Sequence, residues 1–154
     1  MKHKKFKKVE LDNKKRVFHL EYTSGLKVEC PYSALGIKGK VMEAAPDAEV
    51  GQHSFYFILE NGKKEFVPFD QPLHIVQNPE YIKQNTLYEV TKQINEFVER
   101  GKVSKRELAR RLGTSLSQLS RLLDTTNYKK ELSRLIELAA MLNYEFKWEF
   151  KRAA

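Results

Sequence analysis

A single cysteine, Cys30, excludes an internal disulfide and leaves no thiolate set for a zinc site. A lone thiol suits a reducing compartment, so a cytoplasmic protein is expected. No apolar run approaches the length of a membrane span, so no membrane partner is expected. The opening residues, MKHKKFKKVELD, are basic but lack the apolar stretch of a signal peptide. The histidines at 3, 19, 53 and 74 have neither ligand nor catalytic spacing, so neither metal nor cofactor is expected. His19 falls mid-strand and reads as a polar-face residue. Cys30 has no clear His or Asp partner and reads as a small semi-buried residue, not a nucleophile. Gly36 and Gly39, within LGIKGK, are too few and too close for a phosphate loop. Without a catalytic constellation, an enzyme is the weakest reading, and no enzymatic activity is expected.

What is present is charge, unevenly placed. The net charge is +8 over 154 residues. Residues 1–16 carry +6, residues 101–154 carry +6, and residues 17–100 carry −4. Basic ends around an acidic middle argue for two functional units. Clustered positive charge suits a polyanion, most simply nucleic acid, although a lysine-rich terminus also serves solubility.

The first half has the marks of strands. RVFHLEYTSGLKVEC (16–30) places two β-rich runs around Ser24-Gly25, and SFYFILENGKKEFVPF (54–69) places two around Asn61-Gly62. Phe18, Leu20 and Tyr22 alternate with Val17, His19 and Glu21, so one face of the first hairpin is buried. AAPDAEVGQ (44–52) reads as a loop. At an offset of 37, Phe18 matches Phe55, Gly25 matches Gly62, Pro31 matches Pro68 and Tyr32 matches Phe69. This fits a duplicated β unit. It also fits what any two hairpins share, and that commoner explanation is preferred.

Beyond Pro72 and Pro79 the period changes. Leu87, Val90, Ile94, Phe97 and Val98 recur at helical spacing, with Gly101 as a stop, so a helix is expected over about 80–100. The boundary is placed so that 1–75 is an antiparallel β domain for dimerisation, partner or ligand, and 76–154 a helical domain. NYEFKWEFK (143–151) returns to period two, with Tyr144, Phe146, Trp148 and Phe150 on one face. It reads as a half-buried strand that must pair, either with the N-terminal sheet or with the same strand of a second subunit.

Between these lies RELARRLGTSLSQLSRLLD (106–124). Ser104 and Glu107 form a capping box before a helix over 105–112, which turns Leu108, Ala109 and Leu112 inward. Gly113 stands where a left-handed residue ends a helix. Thr114 or Ser115 caps a second helix over about 116–123, which buries Leu119, Leu122 and Leu123. Its other face carries Ser117, Gln118 and Arg121, side chains able to read base edges in a major groove. A third helix, 129–142, aligns Leu132, Leu135, Ile136, Ala139 and Leu142. Leu138 and Met141 widen its stripe, as contact with another element or subunit would. The pattern is that of a helix-turn-helix.

Leu108-Ala109, Leu112-Gly113, Leu119 and Leu122 resemble the signature of the Cro/phage-repressor (XRE-type) helix-turn-helix family over about 104–143. The stretch is also similar to the helix-turn-helix of HicB-type antitoxins. The resemblance implies that Ser117, Gln118 and Arg121 face bases. It also implies that Ser104, Lys105, Thr114 and Ser115 meet phosphate. Asn127, Lys129 and Lys130, together with Arg110 or Arg111, would add backbone contacts. Leu116 departs from the pattern, since related repressors often place a polar reader there; a thymine-methyl contact or partial burial would each fit. The expectation is an α+β protein with an antiparallel β-hairpin domain, then an XRE-type helix-turn-helix domain with a C-terminal strand. It would act as a homodimeric transcriptional regulator on palindromic double-stranded DNA. The alternative is an antitoxin whose β domain binds a toxin and whose helices repress the shared promoter.

Overall fold

The computed structural model describes residues 2–153. The chain is mixed α+β, with two three-stranded antiparallel sheets and five α-helices among the described residues. It divides into two units, one ending at Ile82 and the other beginning at Lys83. No helix among the described residues is long and apolar enough to cross a membrane.

In the first unit, β1 (Phe6–Asp12), β2 (Val17–Tyr22) and β3 (Lys27–Pro31) form one sheet in that order. The second sheet is β4 (Val41–Pro46), β5 (Ser54–Leu59) and β6 (Lys64–Pro68). Both expected hairpins are present, as β2–β3 and β5–β6. They turn on Gly25 at φ +91° and Gly62 at φ +82°, backbone that a Cβ would strain. Phe18, Leu20 and Tyr22 point inward as their alternation requires.

The preference for coincidence between the hairpins is overturned. β2 and β5, and likewise β3 and β6, correspond residue by residue at the offset of 37, with Val17 opposite Pro31 and Ser54 opposite Pro68. The likeness extends to strands that periodicity does not reveal. β1 slips register between Phe6 and Lys8, opposite Tyr22 and Glu21. β4 slips between Val41 and Glu43, opposite Leu59 and Ile58, the positions equivalent to Tyr22 and Glu21. A bulge inserts one residue and breaks the alternation. In β1 it leaves Phe6 and Val9, three apart, on the buried face. The first unit is therefore an internal repeat of a bulged three-stranded meander.

The repeats share one core. Phe18 and its equivalent Phe55 meet edge-on at 5.1 Å, and Phe6 meets Phe55 at 5.2 Å. Tyr32 packs against Phe18 with ring centres 4.7 Å apart and the planes tilted by 50°. Asn13 joins the sheets: its Nδ2 donates to the Val41 carbonyl at 2.9 Å, and its Oδ1 accepts from the Val41 amide at 3.0 Å. After β6 comes α1 (Asp70–Ile75), a short helix that the hairpin pattern does not reveal; Leu73 carries it into the core.

The second unit is built from α2 (Pro79–Arg100) from Lys83 onward, with α3 (Lys105–Leu112), α4 (Leu116–Leu122) and α5 (Leu132–Met141). Its core is Leu87, Ile94, Val98, Leu108, Ala109, Leu112, Leu119, Leu122, Leu123, Leu135, Leu138 and Ala139. Two expectations about α5 need correction. It starts at Leu132, not 129, because the Lys129 amide bonds to Asn127 Oδ1 at 3.0 Å and Glu131 is extended. Leu138 does not await another element; it is fully buried in this core.

The expected C-terminal strand is absent. Asn143, at φ +66°, ends the helix, and the Tyr144 amide closes onto the Ala139 carbonyl at 2.9 Å. Residues 144–152 then pair with no strand. Period two supplies a face, but a strand also needs backbone partners. The six strands of the first unit pair among themselves. Trp148 and Phe150 are 72% and 90% exposed.

Candidate nucleic-acid interface

Local chemistry dictates the break between α3 and α4. Ser104 Oγ accepts the Glu107 amide at 3.2 Å and starts α3. The Glu107 carboxylate binds forward along the helix, accepting from Arg110 Nε at 2.9 Å and Arg111 Nε at 3.0 Å. These charge-assisted bonds hold its pKa down from 4.5 to about 2. At the far end, Gly113 is left-handed at φ +71°. Its amide reaches the Arg110 carbonyl at 3.1 Å, and the Thr114 amide reaches Ala109 at 2.9 Å. That is a Schellman closure, which satisfies carbonyls the helix leaves open. Ser115, not Thr114, caps α4, accepting the Gln118 amide at 3.1 Å.

The C-terminal carbonyls of α4 are held by side chains from outside the helix. Asn127 Nδ2 donates to the Arg121 carbonyl at 3.0 Å, and Asn95 Nδ2 to Leu123 at 2.8 Å. Lys130 Nζ donates to Leu122 at 2.9 Å and to Asp124 at 2.8 Å. Partial burial lowers the Lys130 pKa against the pull of Asp124. Such a short helix is marginal alone, since terminal carbonyls lack internal partners. Clamping them fixes the outer face of α4 in space.

On that outer face, Gln118 and Arg121 are exposed, and no bond to either head group occurs among the described residues. Leu116 is 43% exposed. Ser117 is also exposed, but its hydroxyl lies 3.1 Å from Ser115 Oγ. Gln118 and Arg121 line a groove of about 640 Å³ with Thr114, Asn127, Lys129 and Lys130. Ser104, Lys105, Arg110, Arg111, Ser115, Leu116 and Ser117 lie outside it.

The expected backbone contacts thus divide by the state of their polar atoms. Lys105 and Lys129 are exposed and free of ion pairs among the described residues. Arg110 and Arg111 are exposed but share Glu107. Asn127 and Lys130 are engaged on α4, so their roles are structural first. Arg134 was not anticipated. It lines the same groove, donating from Nη2 to the Leu112 carbonyl at 3.3 Å and from Nη1 to Glu137 at 3.0 Å. Asn95 was also missed, because a polar residue on a long helix carries no signal of what its partner will be.

Compared with family models, curated proteins and solved structures, the chain matches none. Its chemistry must speak for itself. The groove sets Arg121, Lys129, Lys130 and Arg134 against Asp124 and Glu131, a positive balance. Arg121 offers a planar fork of donors, and Gln118 a donor and an acceptor on one amide.

Burial pushes the Cys30 thiol up to about 11, which keeps it protonated. His19 lies between two carboxylates, with Asp12 Oδ2 at 2.9 Å and Glu29 Oε1 at 3.4 Å.

Proposed function

We propose that α3, the Gly113 turn and α4 form a helix-turn-helix, and that the protein is a sequence-specific DNA-binding regulator acting as a dimer. One observation carries the reading: Gln118 and Arg121 stand unpaired on the exposed face of a helix clamped at both ends, in a groove of positive balance. A helix presented in this way fits the major groove, where each base pair has its own pattern of donors and acceptors.

Arg121 reads guanine and Gln118 adenine by two-point hydrogen bonding. Leu116 offers its methyls to thymine. Lys105 and Lys129 bind phosphate as point charges, while Ser104, Thr114 and Ser115 donate their hydroxyl protons to it. Capping does not prevent this, because a hydroxyl that accepts an amide still has its own proton to give.

Selection of bound sequences from random duplex DNA tests the reading. The expected product is a twofold-symmetric motif with half-sites about 10 bp apart, or a multiple of that. Arg121→Ala should cost about 1–3 kcal/mol and relax one position of the motif. Enrichment of no motif, or a motif indifferent to Arg121→Ala, overturns it.

A further inference from the structure

We propose that residues 145–151 of two copies of this chain pair as an antiparallel β-ribbon centred on Trp148, making the interface of a homodimer. Three observations bear on it. The stretch alternates strictly, yet it pairs with no strand among the described residues. Two of its three aromatic side chains are largely open, Trp148 at 72% and Phe150 at 90% exposure, while Phe146 is partly buried. At its start, Tyr144 stacks on Phe97 of α2 with ring centres 3.6 Å apart, which anchors the segment to its own helices.

Charge complementarity identifies the occupant. Residues 145–151 read Glu, Phe, Lys, Trp, Glu, Phe, Lys. Set antiparallel against itself with Trp148 opposite Trp148, the segment places Phe146 opposite Phe150. On the other face, Lys147 meets Glu149 and Glu145 meets Lys151. Every charge then faces its opposite and every aromatic faces an aromatic, the favourable kinds of cross-strand pair. By symmetry each pair occurs twice, apart from Trp148 with Trp148, which meets once on the twofold axis. Sliding the register by two residues, to centre on Lys147 or Glu149, sets like charges opposite. A parallel in-register ribbon does so at every charged position. Within one chain, Lys147 and Glu145 already approach to 4.0 Å on the shared charged face. Tyr144 falls opposite Arg152 of the second copy, which continues the complementarity by one pair.

The interface stands independently of DNA reading and is tested without DNA. A ribbon of two strands is marginal in water, so a dissociation constant on the order of 10 µM is expected. Sedimentation of the full chain should move from one copy to two as concentration rises. Trp148 is the only tryptophan, so its emission should shift to the blue over the same range. Lys147→Glu sets two Glu–Glu pairs into the ribbon and should weaken the dimer about tenfold. Adding Glu149→Lys to it restores opposite charges and should return the affinity. Far-ultraviolet circular dichroism, compared at dilutions where each protein is a single copy, should be the same for all of these, since the segment lies outside the core. A single-copy mass at every attainable concentration overturns the proposal, as does a dimer indifferent to Lys147→Glu. A blue-shifted Trp148 in a single-copy species also overturns it, because the strand would then be folded against its own chain.

Discussion

The two units bury opposite kinds of side chain. In the β unit the largest buried groups are Phe6, Phe18, Tyr22, Tyr32, Phe55 and Phe57, none more than 1% exposed. The buried core of the helical unit is leucine, isoleucine, valine and alanine, without an aromatic. Its most exposed large apolar groups, Trp148 and Phe150, lie outside that core. The same period-two aromatic pattern thus meets two fates. In β2 it faces the repeat-related sheet, and Phe18 finds Phe55. After α5 it has no second layer, and the segment stays unpaired. Alternation specifies a face, and whether that face is buried depends on what else the chain provides.

The largest expected effect breaks this comparison directly. Phe18→Ala removes a ring packed against Tyr32, Phe55 and Phe57, and should cost the β unit about 3–5 kcal/mol. Phe150→Ala, the same chemical change at an exposed site, should stay within about 0.5 kcal/mol. Urea unfolding of both variants, followed by circular dichroism, measures the contrast. Equal losses would mean that Phe150 is part of a core.

How much of this was legible follows from the kind of signal each element carries. The α3–α4 break was readable because its determinants are local: Ser104 and Ser115 as caps, Gly113 as the left-handed stop, and leucines three and four apart. The hairpins were readable from Gly25 and Asn61-Gly62. β1 and β4 were not, because each bulge puts its buried residues out of phase. The C-terminal strand was expected from a real pattern that lacks an intramolecular partner. Within the candidate site, the exposure of Gln118 and Arg121 followed from helical spacing. The diversion of Asn127 and Lys130 to the carbonyls of α4 did not, because it depends on where a loop of irregular backbone returns.

Lys129 and Lys130 sharpen the comparison within the helical unit. They are adjacent in sequence and alike in charge, but Lys130 is held by two carbonyls while Lys129 is exposed. Lys130→Ala should destabilise the unit by about 1–2 kcal/mol, since it unties the end of α4. Lys129→Ala should leave stability unchanged and lower the slope of log affinity against log salt by about one, if it meets phosphate. Thermal unfolding and a salt titration of DNA binding separate the two. A stable Lys130→Ala protein with a reduced salt slope would return Lys130 to the phosphate backbone.

The smallest effect concerns acid. Glu107 is partly exposed, and its carboxyl is held down to about 2 by Arg110 and Arg111. A carboxylate with a depressed folded-state pKa contributes stability above its ordinary pKa, and loses it as pH falls through the folded value. The contribution of Glu107 is therefore complete above 4.5 and fades as pH drops towards 2. Glu107→Gln keeps the size of the side chain and removes its charge. Its melting temperature should lie slightly below that of the parent at neutral pH, and the gap should close on acidification. Asp12 and Glu10 of the β unit are also held below their ordinary values, by the Lys15 amide and by Lys8 respectively, and they titrate identically in both proteins. Asp124 of the helical unit is likewise held down, by Thr126, and cancels too, so subtracting the two melting curves isolates Glu107. A gap that persists unchanged near pH 2 would mean that Glu107 acts through packing rather than through its charge.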